Sequence, residues 1–82
     1  MIGMAREGEL SVAAMHRICK KAGAERVSKS AARELARILE EIGVRIAKEA
    51  LDYTTHAGRK TIKGKDIAIA AEKTVRLGRG LY

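Results

Sequence analysis

Apolar residues recur at helical spacing in three stretches of this chain. In the first, Val12, Met15, Ile18, Cys19 and Ala22 share one face, with Arg17, Lys20 and Lys21 off it. Ser11 before this stretch is a good N-cap, and Gly23 after it is a good stop. The second stretch starts after Ser28 or Ser30 and runs to Ala57. Leu35, Ile38, Leu39, Ile42, Ile46, Ala50, Tyr53 and Ala57 form a continuous apolar stripe along it. Ala36, Gly43 and Ala47 widen the stripe with small residues, while Val44 and Leu51 lie on the charged back. Gly58 stands where a helix-ending glycine belongs. A third helix begins near Lys63 and continues to about Leu77, with Ile67, Ala70, Ala71 and Thr74 on one side. Asp66 falls in its first turn, where a carboxylate suits the helix dipole.

The middle helix is too long for its surroundings. It spans about 40 Å, while a compact globule of this length is roughly 30 Å across. Two short helices cannot cover a stripe of that length. The economical solution is a dimer whose central helices cross, with a core shared by Leu35, Leu39, Ile42 and Ile46 of both chains and a close approach at Gly43. The alternative is a monomer with a bent or broken helix. The pattern predicts an N-terminal extension over 1–9, one domain over 10–77 and a short tail over 78–82.

Composition supports an all-α reading. There is no Pro, Trp or Phe among the 82 residues, and Ala, Leu, Ile, Glu, Lys and Arg dominate. Cys19 is the single cysteine, so no disulfide framework exists, which suits a reducing, cytoplasmic setting. No run approaches the roughly 20 apolar residues of a membrane span, and no signal peptide is visible. No catalytic site is expected. His56 has no Cys or carboxylate cluster at ligand spacing beside it, and His16 lies in another helix, so no metal is expected. Cys19 sits on an apolar face as a core residue. No phosphate-cradling Gly-rich loop is followed by Lys-Ser or Lys-Thr. Neither a cofactor nor a small-molecule substrate is implied.

Charge changes the picture more. The formal net charge is +7, which points to a polyanionic partner. Residues 1–27 hold five Lys/Arg against three acids, 28–57 hold five against five, and 58–82 hold seven against two. The long helix is neutral, and the excess sits toward the ends and loops. The stretch "HAGRKTIKGKD" at 56–66 packs four cations around a Thr-Ile pair where the longest helix breaks.

The segments "AGAERVS" at 22–28, "LARILEEIG" at 35–43 and "HAGRKTIKGKDI" at 56–67 resemble those of an archaeal histone. The resemblance spans about Leu10 to Lys73. It implies the histone fold, with two chains in a head-to-tail handshake that binds and wraps duplex DNA, and a place on the chromosome. It implies that Arg26 and Thr61 meet phosphates where the first loop of one chain lies beside the second loop of the other, with Val27 and Ile62 paired. Lys20, Lys60 and Lys63 then neighbour phosphates, and Arg17 points into the minor groove. Arg59 and Asp66 are implied as an internal ion pair. Tyr53, His56, Asp66 and Ile69 are implied as the contact between dimers, with His56 giving a hydrogen bond and Asp66 accepting one. The partner chain is expected to be a second copy or a paralogue, with higher oligomers on DNA. A dimerisation module of a transcription factor, or a variant that bridges duplexes without wrapping, is the alternative. The chain also departs from the family. Ser11 and Ala14 occupy a region where proline is common, and Lys29 and Ser30 stand where relatives often carry acids. Segments "MIGMAREG" and "TVRLGRGLY" are added at the two ends.

Overall fold

A computed structural model describes the backbone of residues 8–78 and the side chains of residues 8–74. Most of the N-terminal extension and most of the short tail lie outside the described residues. Three helices follow one another: α1 (Val12–Lys21), α2 (Lys29–His56) and α3 (Gly64–Gly78). No strand occurs among the described residues.

The helix ends are set by side-chain caps and glycines. Ser11 Oγ accepts from the Ala14 N–H at 3.0 Å and starts α1. Ser28, rather than Ser30, starts α2, its Oγ accepting from the Ala31 N–H at 3.1 Å. Both helices stop in the same way. Gly23 (φ 107°) and Gly58 (φ 76°) take the left-handed backbone conformation that glycine adopts without strain. Around them Gly23 N–H donates to Lys20 O and Ala24 N–H to Cys19 O; Gly58 N–H donates to Thr55 O and Arg59 N–H to Thr54 O. These are paired Schellman closures, which use carbonyls the helix leaves over.

The chain divides into two compact units between Ile42 and Gly43, with α2 running through both. In the first unit Met15 of α1 packs on Ala32 and Ala36 of α2, with Leu10, Val12, Ala14, Val27, Leu35 and Leu39 partly buried around them. The segment before α1 is fastened to α2, because the Glu9 N–H donates to Glu40 Oε1 at 2.9 Å. In the second unit Ala50 and Thr54 of α2 are buried, as are Asp66 and Ala70 of α3. Lys73 reaches back to Glu49 at 2.8 Å.

The buried apolar residues of the described chain are one methionine and four alanines. The expected core residues Leu35, Leu39, Ile42 and Ile46 are only half-buried. Ile18, Ile38, Val44, Leu51, Ile62, Ile67 and Ile69 are exposed. So the single stripe read along α2 is two faces. The alanines meet the chain's own short helices, and the larger residues beside them stay partly open.

Candidate nucleic-acid interface

Loop 1 (residues 22–28) and loop 2 (residues 57–63) arise from the two Schellman closures, and each carries cations. In the first unit Arg17 and Arg26 are exposed and make no side-chain hydrogen bond or ion pair among the described residues. Lys20 differs: its Nζ donates to the Glu25 carbonyl at 2.8 Å, so it ties the end of α1 to loop 1 while keeping its charge at the surface. In the second unit Lys60, Thr61 and Lys63 are all exposed along loop 2.

Loop 2 is held by a clasp beneath it. Arg59 Nη1 and Nη2 donate to Asp66 Oδ2 and Oδ1, each at 3.0 Å, a two-pronged ion pair. Arg59 Nη1 also donates to the Thr61 carbonyl at 3.0 Å, inside the loop. The Lys63 N–H donates to Asp66 Oδ2 at 2.9 Å. This is half of a capping box, with Asp66 at the third position of α3 reaching back to the residue before the helix. Thr54 Oγ1 lies 2.8 Å from the same Oδ2. Asp66 is 3% exposed, so these donors replace the water it lost on burial. Its carboxyl is held well below the usual carboxylate range, first by the Arg59 fork and then by the Lys63 N–H and the Thr54 hydroxyl, against the opposing effect of burial. The same pairing raises the Arg59 guanidinium.

Thr54 is the site residue that sequence reading missed. A signal existed: a threonine four residues after Ala50, on the flank of the apolar stripe, has a hydroxyl that must find a partner if it is buried.

Away from the loops, acids are engaged locally. Arg37 is forked between Glu34 at 2.6 Å and Glu41 at 2.9 Å on the exposed side of α2. Glu40 and Glu49 hold Glu9 N–H and Lys73. Within the neutral middle, Arg37 is thus paired with two acids, while Arg17, Arg26, Lys60 and Lys63 face solvent.

Tyr53 is half-buried, and His56 and Ile69 are exposed, Ile69 at 51%. His56 Nδ1 lies 3.0 Å from the Asp52 carbonyl. A carbonyl only accepts, so Nδ1 carries the proton and Nε2 of the neutral ring is an acceptor. Among the described residues no group of His, Cys, Asp and Glu could hold a metal ion. No helix there is long and apolar enough to cross a membrane.

Helix, loop, long helix, loop, helix, with exposed cations on both loops, is the arrangement expected of the histone-fold class. Comparison with known proteins agrees. Residues 8–71 match the family described as histone-like transcription factor (CBF/NF-Y) and archaeal histone, and the chain belongs to that family. It is 47% identical over 64 residues to one of the subunits of the archaeal histone HAN1 from Thermococcus zilligii, covering 78% of this chain and 96% of that one. It is 50% identical over 62 residues to probable archaeal histone 3 of Methanocaldococcus jannaschii, covering 76% and 92%. Histone H4 of Dictyostelium discoideum is 30% identical over 69 residues, covering 84% and 61%. The protein is a DNA-binding histone of chromatin and not an enzyme.

Proposed function

We propose that two copies of the chain join head to tail and that the dimer wraps and compacts duplex DNA on the chromosome with little sequence preference. The observation that carries this reading is a set of unpaired cations at α1 and the two loops of a chain with net charge +7. Glu34, Glu41, Glu49 and Asp66 are engaged in ion pairs within the chain, while Arg17, Arg26, Lys60 and Lys63 are exposed and, among the described residues, unpaired. Cations left so are available to phosphates, and phosphate contact carries little base information.

A second chain accounts for two features that one chain does not. A core of one methionine and four alanines leaves large side chains half-open, and a domain of this size has little stability to spare. Gly43 sits in the middle of α2, where a Cβ would meet nothing. Glycine there costs about 1 kcal/mol against alanine, so its use lies in what approaches from outside. In the dimer, Val27 would pair beside the second copy's Ile62 and bring Arg26 to Thr61. Lys20, Lys60 and Lys63 surround that pair, and Arg17 enters the minor groove. The paired N-termini of α1 offer a further anion site between the two ends.

Salt dependence tests this directly. If a dimer neutralises about 6–10 phosphates, log affinity should fall against log salt with a slope near −5 to −9. Arg26→Ala should retain its helical circular dichroism and lower that slope by about 2, one unit for each copy in the dimer. A wild-type slope shallower than about −2 on mixed-sequence DNA would end the reading.

Dimers are proposed to stack along DNA through Tyr53, His56 and Ile69, with Asp66 beside them. Asp66 Oδ2 already takes three donors, so a bond to a neighbouring dimer would use the spare acceptor on Oδ1. His56 is proposed to give this bond. With Nδ1 committed to Asp52, His56 donates from Nε2 only as imidazolium. Tyr53→Lys should leave a folded dimer that still binds DNA but loses regular stacking, because the added charges repel across the two-fold axis. Sedimentation on a duplex long enough for several dimers checks it. An unchanged particle with an unchanged nuclease pattern removes this surface from the joint. A regular micrococcal nuclease ladder on wild-type complexes distinguishes wrapping from bridging, which leaves a smear. The Thermococcus relative is named as one subunit of its histone, so native mass spectrometry with a paralogue present tests the choice of a second copy as partner.

A further inference from the structure

Thr54 and Asp66 are the buried polar side chains of the described residues, and they touch at 2.8 Å. Thr54 Oγ1 also lies 3.0 Å from the Ala50 carbonyl. A hydroxyl has one proton to give. The charged acceptor makes the stronger bond, and the Ala50 carbonyl already serves the helix ladder. The proton therefore goes to Asp66.

The backbone of Thr54 is engaged as well. Its carbonyl accepts the Arg59 N–H at 3.0 Å, the outer bond of the closure that ends α2. Arg59 returns through its guanidinium to Asp66. Thr54, Arg59 and Asp66 thus form a closed ring that joins the start of loop 2 to its end at α3. Arg59 holds Thr61 O, and Asp66 holds Lys63 N–H, from within that ring. The last torsion of an aspartate is soft, so the donors around the carboxylate decide its orientation. Removing the Thr54 donor leaves Arg59 and the Lys63 N–H to hold it and loosens its orientation.

We infer that Thr54 is a positioning residue for DNA binding: its hydroxyl orients the Asp66 carboxylate, which fixes Arg59 and the Lys63 backbone and so sets the shape in which loop 2 offers Lys60, Thr61 and Lys63 to phosphates. The inference rests on the reading of loop 2 as a phosphate contact. Thr54 is 0% exposed and touches no DNA itself.

The test uses the full chain with Thr54→Val, which keeps the shape and removes the hydroxyl, and Thr54→Ser, which keeps the hydroxyl. Three quantities are read: helical circular dichroism, affinity for a mixed-sequence duplex at one salt concentration, and the Asp66 carboxyl titration by carbon-13 NMR. Thr54→Ser should bind within about twofold of wild type, and Thr54→Val about tenfold more weakly at equal helix content. The Asp66 titration should move up in Thr54→Val and stay low in Thr54→Ser. A role in helix packing alone would not move it. Wild-type affinity in Thr54→Val, with wild type showing its steep salt slope, overturns the inference and leaves the reading of loop 2 standing. Absence of salt-dependent binding in wild type itself ends that reading, and the inference with it. If Thr54→Val does not fold, Thr54→Ser decides. Retained affinity with a low Asp66 titration supports the hydroxyl's role, and weakened binding shows that the methyl group mattered and overturns it.

Discussion

Leu39→Asp is expected to leave the chain unfolded at concentrations where wild type is fully helical. Leu39 packs half-buried on the Met15, Ala32 and Ala36 cluster, and in the proposed dimer a second chain covers the rest. An unpaired carboxylate there costs several kcal/mol, twice per dimer, against a total of roughly 5–15 kcal/mol for a domain. The small core around Met15, Ala32 and Ala36 has little with which to compensate. Far-UV circular dichroism reads the result. Val44→Asp is the control, because Val44 is 49% exposed on the side of α2 away from the stripe; a surface change of that kind costs about 0.5 kcal/mol or less. Wild type should also melt higher as its concentration rises, since in the proposed dimer folding and association are one event. A folded Leu39→Asp chain, or a wild-type melting temperature independent of concentration, would show that each chain holds its own core.

The second large effect belongs to Asp66→Asn. This change keeps the size of the side chain but removes the charge facing Arg59, and its amide cannot accept from every donor that Asp66 serves. The melting temperature at neutral pH should fall on the order of 10 °C. DNA affinity should fall with it, because loop 2 loses the clasp beneath it. The pH dependence adds a second signature. A carboxyl whose folded value lies below its unfolded one contributes stability above the unfolded value, and that contribution is lost as pH falls toward the folded value. Asp66 is such a group, lowered chiefly by the Arg59 fork. Wild type should therefore lose stability progressively from about pH 5 downward. Asp66→Asn should begin lower and show a flatter acid limb over the same range. Thermal melts of both proteins across that range settle it: parallel acid limbs would mean that Asp66 titrates with no linkage to folding.

The helices are legible in the sequence because their signals are local. Ser11, Ser28, Gly23 and Gly58 act within one turn of themselves, and apolar period needs only the chain's own spacing. Sequence leaves the start of α2 open between Ser28 and Ser30, since both can cap. Geometry chooses Ser28 by the distance from its Oγ to Ala31 N–H. Loop chemistry is legible as charge, because four cations within 56–66 need no fold to be counted.

The order and ends of three helices, the neutral middle with its basic loops, and membership of a histone family through motifs at fixed separations are thus properties of the chain read on its own. Tertiary structure decides which residues on the inner side of α2 face the chain's own helices. Ala32, Ala36 and Ala50 do so, because small side chains let α1 and α3 approach closely, while the bulkier Leu35, Ile42, Ile46 and Tyr53 stay half-open. It also decides the bond from Thr54 to Asp66, twelve residues apart, and the bond from Glu9 to Glu40, thirty-one apart. A hydrogen bond has a reach of about 3 Å, and periodicity along one chain carries no record of which distant residues a fold brings within it.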